Sequence, residues 1–107
     1  MIQIKNIATK EDYEYFANGT SVVKFSADWC GPCVVLARTI INLDEEKVNG
    51  IPFGEVNVDD EFADEITSKL NIRGIPVLIF FKNGEEVDRL VGAVPAQEIY
   101  NKLEKLQ

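Results

Sequence analysis

The stretch Val22-Val23-Lys24-Phe25-Ser26-Ala27 is nearly continuous in apolar and small side chains, with Lys24 as the one charged exception. Such a run suits a strand covered on both faces, and strands of that kind belong to sheets layered between helices. It leads through Asp28 into Trp29-Cys30-Gly31-Pro32-Cys33, which holds the only tryptophan and both cysteines of the chain. The segment that leaves this motif carries Leu36, Ala37, Ile40 and Leu43 at helical spacing, with Val48 near its end, so one helix is expected from Val34 to Val48. Two cysteines separated by two residues are a redox couple or half of a metal site. Their place on a strand-to-helix turn favours the redox couple.

The rest of the chain repeats the alternation. Ile2 to Lys5 alternates apolar and polar residues and suits a short first strand. Thr9 followed by Asp12 is close to a capping box, Tyr13, Phe16 and Ala17 give the next helix one apolar face, and Asn18-Gly19 stops it. After the motif and its helix, Asn49-Gly50 is a terminator and Gly54 to Val58 reads as a strand. Asp59-Asp60 is placed to cap a helix with Phe62, Ile66 and Leu70 inward. Arg73-Gly74-Ile75-Pro76 makes a rigid turn before the strand Val77 to Phe81. Asn83-Gly84 is the strongest hairpin signal and pairs that strand with Glu86 to Val91, which Gly92 ends. Pro95 opens a last helix with Ile99, Leu103 and Leu106 inward and Lys102 and Lys105 near its end. The order is β-α-β-α-β-α-β-β-α, which implies an α/β fold with a five-stranded mixed sheet flanked by four helices. With 107 residues, one domain covering 1–107 is expected.

Composition narrows the chemistry. A net charge of −7 gives no electrostatic footprint for nucleic acid or an anionic membrane. No apolar run has the length of a membrane span, and the N-terminal residues lack the apolar core of a secretory signal, so a cytoplasmic protein is expected. The chain has no histidine, which removes His-based acid–base chemistry and a Cys/His zinc site from a single copy. A structural disulfide across so short a loop removes little chain entropy. A metal site needs further ligands, supplied for example by a second chain.

Four blocks resemble the thioredoxin family: Trp29-Cys30-Gly31-Pro32-Cys33, Arg73-Gly74-Ile75-Pro76, Phe81-Lys82-Asn83-Gly84 and Val91-Gly92-Ala93. They occur in the family's order and spacing across essentially the whole chain. The resemblance implies the thioredoxin fold, with sheet order first, third, second, fourth, fifth strand, and a cis peptide before Pro76 lying against the cysteines. It implies a protein-disulfide reductase that cycles Cys30 and Cys33 between dithiol and disulfide. Cys30, its sulfur partly exposed at a helix N-terminus, is the attacking thiolate, and Cys33 is the buried resolving one. Gly31 admits a substrate backbone, Pro32 restrains the loop, and Trp29, Ile75, Val91 and Gly92 form an apolar groove for the substrate strand. No cofactor is bound. Electrons come from a thioredoxin reductase, an NADPH-dependent flavoprotein, and the other partners are disulfide-containing targets of a monomeric protein. A specialised relative with one reductase or target, or a scaffold that does not use its thiols, is the alternative.

The chain also departs from the family. Lys24 stands where a buried Asp is usual, and Glu55 where a Lys on the neighbouring strand is often found. A Lys24–Glu55 pair beneath the active site is expected, tuning the pKa of Cys33 or serving its proton transfer. Ser26 replaces an aromatic, Val34 a lysine and Arg38 the helix proline, whereas Asp59 matches the family's Asp at the end of the third strand.

Overall fold

The computed structural model describes residues 1–107. Five strands, β1 (Ile4–Ile7), β2 (Ser21–Ser26), β3 (Phe53–Asn57), β4 (Val77–Lys82) and β5 (Glu85–Val91), form one sheet in the order β1-β3-β2-β4-β5. β3 runs parallel to both β1 and β2, whereas β4 is antiparallel to β2 and to β5. The order is the one the family resemblance implies. β1 begins two residues later than the alternation of Ile2 to Lys5 suggested, because its register is set by pairing Ile4 with Phe53 and burying Ile7.

Five α-helices surround the sheet: α1 (Lys10–Ala17), α2 (Gly31–Ile41), α3 (Glu45–Val48), α4 (Ala63–Lys69) and α5 (Ala96–Leu103), with a 3-10 turn at Glu104–Leu106. The single helix expected from Val34 to Val48 is two. Asn42 caps α2, and Asp44 restarts the chain as α3 by accepting a hydrogen bond from the amide of Glu46. Thr9 caps α1 as its sequence suggests, its hydroxyl accepting from the amide of Asp12 at 3.1 Å. Asp59 and Asp60 do not cap α4 with their side chains. The chain turns on backbone bonds instead, Ala63 N–H to the Asp60 carbonyl among them.

Both faces of the sheet are covered. On one, Val22, Phe53, Leu78, Phe80 and Leu90 pack with Leu36 and Ile40 of α2 and Ile99 and Leu103 of α5. On the other, Ile7, Val23, Phe25, Val56, Val77 and Ile79 pack with Phe16 of α1 and Ala63 and Ile66 of α4. This explains the continuous apolar character of β2, since alternate side chains serve opposite cores. Gly54 marks the tightest approach, where a Cβ would lie 2.5 Å from Ile7 Cδ1 and 2.9 Å from Phe16 Cε2. At the β4–β5 turn, Asn83 and Gly84 have φ of 51° and 86°, the two positive angles a type I′ hairpin requires.

The C-terminal helix is tied to the sheet by charge. Asp88 on β5 lies 2.7 Å from Lys105 and 2.9 Å from Lys102. Hydrogen bonds from these lysines hold its carboxyl down at about 2, against the opposing effect of burial. A depressed carboxyl contributes stability above its unfolded value of 3.8 and loses it as the pH falls towards about 2. The urea midpoint of the parent is therefore expected to drop more across that window than that of Asp88→Asn, which lacks the contribution at both ends. Equal drops would show that the cluster is not formed in solution.

Candidate active site

The buried strand β2 ends at Ser26, and the chain turns through Ala27, Asp28 and Trp29 before α2 begins. Cys30 is the N-cap of α2. Its backbone is extended, its carbonyl accepts from Val34 N–H, and its Sγ accepts from Cys33 N–H at 3.2 Å. Gly31 and Pro32 open the helix, and proline is tolerated there because first-turn amides have no partner within the helix. Pro32 brings no N–H of its own, so the amide presented to Cys30 Sγ is that of Cys33. The amide and the positive end of the helix dipole favour negative charge on that sulfur in the reduced protein.

Cys30 and Cys33 are joined as a disulfide, with their Cα atoms 5.2 Å apart. Both are buried, at 5% and 2% exposure. The expectation of a partly exposed Cys30 needs correction: Cys30 is buried, and Ala27, Val58 and Ile75 close around the pair. The two cysteines still differ in access. Cys30 lines an open hollow of about 580 Å³ with Trp29, Gly31, Pro32, Val58 and Ile75, whereas Cys33 does not reach it.

The wall opposite the cysteines comes from the turn before β4. Ile75 precedes a cis peptide to Pro76, and the Ile75 side chain packs on the cysteine pair. Neither the N–H nor the carbonyl of Ile75 is engaged in a backbone hydrogen bond within the chain. Gly92 N–H donates to the Pro76 carbonyl at 2.8 Å, which places the end of β5 beside this turn. Val91 is 67% exposed there, but Val91 and Gly92 lie outside the hollow that Cys30 lines.

Trp29 is 72% exposed, and its Nε1–H donates to Asp59 Oδ2 at 2.8 Å. Asp59, which the sequence marked only as a helix cap and a family match, therefore holds the indole at the rim. Thr67 and Ile72 also line the hollow and were not singled out from sequence, whereas Arg73 entered only as part of the turn before β4. The family resemblance already placed the turn at Ile75-Pro76 against the cysteines, and Ile75 packs there.

Below the pair, Lys24 Nζ donates to Glu55 Oε1 at 2.7 Å, and Ser26 Oγ donates to the same oxygen at 2.9 Å. Ser26, notable in the sequence only for the aromatic it replaces, thus completes a polar cluster. No group of three or more His, Cys, Asp or Glu side chains is arranged to hold a metal ion.

Comparison with known proteins agrees with this geometry. The thioredoxin family model matches residues 5–105. A thioredoxin of Chlamydia caviae is 37% identical over 89 residues, covering 83% of this chain and 84% of that protein. An M-type chloroplastic thioredoxin of Pisum sativum is 35% identical over 104 residues, or 97% of this chain, which spans only 59% of the pea protein. Among solved structures, Malassezia sympodialis thioredoxin superposes with a TM-score of 0.83 at 26% identity, covering 99% of this chain and 92% of that one. With sheet order, cysteine pair and relatives in agreement, the chain belongs to the thioredoxin family, and its bonded Cys30–Cys33 pair serves protein thiol–disulfide exchange.

Proposed function

We propose that Cys30 is the attacking thiolate and Cys33 the resolving one, in a single domain that reduces the disulfides of other proteins. The observation that carries this is the difference in access: Cys30 lines the hollow and Cys33 lies behind it. The reduced Cys30 thiolate attacks one sulfur of a target disulfide. A Cys30–target bond forms, and the target's other sulfur leaves with the electron pair and takes a proton from water. Cys33, as a thiolate, then attacks Cys30 Sγ. The Cys30–target bond breaks, the second target thiol is released, and Cys30–Cys33 is oxidised.

The target lies extended against the Ile75 turn, where the free N–H and carbonyl can pair with its backbone. Pro76 keeps that turn rigid and offers no N–H in competition. Trp29 and Val91 supply apolar rim, while Gly31 and Gly92 leave room for the incoming strand. Two electrons return the pair to the dithiol from a thioredoxin reductase, an NADPH-dependent flavoprotein. The site of action is cytoplasmic and the working form monomeric.

Brief alkylation of the reduced protein with iodoacetamide at neutral pH, followed by peptide mass mapping, tests the assignment. Cys30 should be modified first, and disulfide reduction should be lost in step. Equal labelling of the two cysteines, or Cys33 first, would overturn it.

A further inference from the structure

Lys24 is the one charged side chain of this chain that is buried, at 3% exposure. Replacing a buried ion pair by apolar residues is commonly neutral or stabilising, so stability is a poor reason for an ammonium in this position. Its surroundings suggest another. Across the sheet the row reads Asn6, Glu55, Lys24, Leu78 and Leu90. Leu78 and Leu90 belong to the core beneath α2, in contact with the cluster that holds Leu36. Lys24 alternates with Val23 and Phe25, which serve the opposite core, so it points to the α2 side. On that side α2 turns Cys33 and Leu36 inward, while its only charged residue, Arg38, is exposed. On the α2 side of the sheet, the ionisable groups that the register and the inward face of α2 supply are Glu55 from β3 and Cys33 from α2. β1, β4 and β5 contribute Asn6, Leu78 and Leu90 to the row, none of which titrates.

The two charges of the pair are not equally screened. The Glu55 side chain is 36% exposed and that of Lys24 is 3% exposed. Water screens the carboxylate, while the ammonium stands in a medium of low dielectric. The pair as a whole is neutral, yet the potential it projects toward the buried face of α2 is positive. Glu55 Oε1 is already occupied by two donors, Lys24 and Ser26.

We propose that Lys24 is a positioning residue for the second half of the exchange: held by Glu55 and Ser26, its ammonium stabilises the Cys33 thiolate from below. This rests on Cys33 being the resolving cysteine. In the mixed disulfide, Cys33 releases its proton to solvent with no carboxylate base. The thiolate so formed attacks Cys30 Sγ, and the departing target thiolate is protonated by water, so atoms, charge and two electrons balance.

The test separates the two halves of the reaction. Reduced protein is mixed with dithiobis(nitrobenzoate) in a stopped-flow instrument over a range of pH. The attack of Cys30 releases one coloured thiolate, and resolution by Cys33 releases the second. In Lys24→Met the midpoint of the second phase should move to higher pH by about one unit or more, with a smaller change in the first. In Glu55→Gln it should move to lower pH, because the ammonium loses its counter-charge. The double variant Lys24→Met/Glu55→Gln leaves no unpaired charge and should keep the alkaline shift, with a thermal melt confirming its fold. An unmoved second phase in both lysine variants overturns the proposal. So does a Glu55→Gln protein whose resolution is slowed without an acid shift, which would make the carboxylate the base. Loss of the proposal leaves the cysteine assignment standing if the first phase still requires Cys30. A first phase that survives Cys30→Ser would instead overturn the assignment itself.

Discussion

Replacing Cys33 with serine is expected to abolish turnover and to leave Cys30 covalently joined to its targets. Serine keeps the shape of the site but cannot close the sulfur–sulfur bond that expels the target, so catalytic reduction should fall by about a thousandfold or more. The first step survives, because Cys30 retains its N-cap position and its place on the hollow. The measurement is direct. A Cys33→Ser protein passed through a cell extract should yield disulfide-linked adducts, released by a small thiol and identified by mass. Cys30→Ser should yield none, since the sulfur left in that protein lies behind the hollow. Comparable adduct formation by the two variants would refute the division of labour. Failure of both to form any, with full partner function retained, would favour a scaffold that does not use its thiols.

Phe25→Ala is expected to be the most damaging of the simple core truncations beside the site. Phe25 is fully buried on β2. Tyr13 packs edge-on against it, with ring centroids 6.2 Å apart, and the same tyrosine meets Phe81 at 6.4 Å. Removing a buried phenyl ring costs about 3–5 kcal/mol, part from lost transfer and part from the cavity left behind. Against a usual total of about 5–15 kcal/mol, that is at least about a fifth of the stability of the fold. The urea midpoint should fall accordingly, with little change in its slope. A loss below about 1 kcal/mol would mean that Tyr13 and the neighbouring side chains collapse into the space. Because Phe25 faces the core opposite α2, folded Phe25→Ala protein should still form the Cys30–Cys33 disulfide.

The features legible in the sequence were those decided by near neighbours. Asn83-Gly84 specifies its turn because both residues accept positive φ. Thr9 caps α1 from three residues away. The unbroken apolar run of β2 announces a strand between two cores, and both cores are there. Where a residue had two local uses, reading it locally failed. Asp59 is a reasonable helix cap on paper, but in the fold its carboxylate serves Trp29, 30 residues away in the chain. Asn42 and Asp44 interrupt a helical pattern that the spacing of Leu36, Ile40, Leu43 and Val48 carries straight through. The burial of Cys30 was also missed, because it depends on Val58 and Ile75, which arrive from distant segments of the chain.

The sequence alone determined the alternation of strands and helices, the closing hairpin, and the placing of a cysteine pair at a strand-to-helix junction. All of these follow from spacing over a few residues, where backbone geometry and side-chain period leave few choices. The tertiary structure decided which cysteine meets the hollow, and that Ile75 faces the pair with its backbone groups free. It also decided that Lys24 and Ser26 share one oxygen of Glu55, with the ammonium buried and the carboxylate about a third exposed. These outcomes depend on which strands lie side by side and on how deeply each is covered. Burial sets the dielectric around a charge, so the sequence names the ions and only the fold assigns their strength.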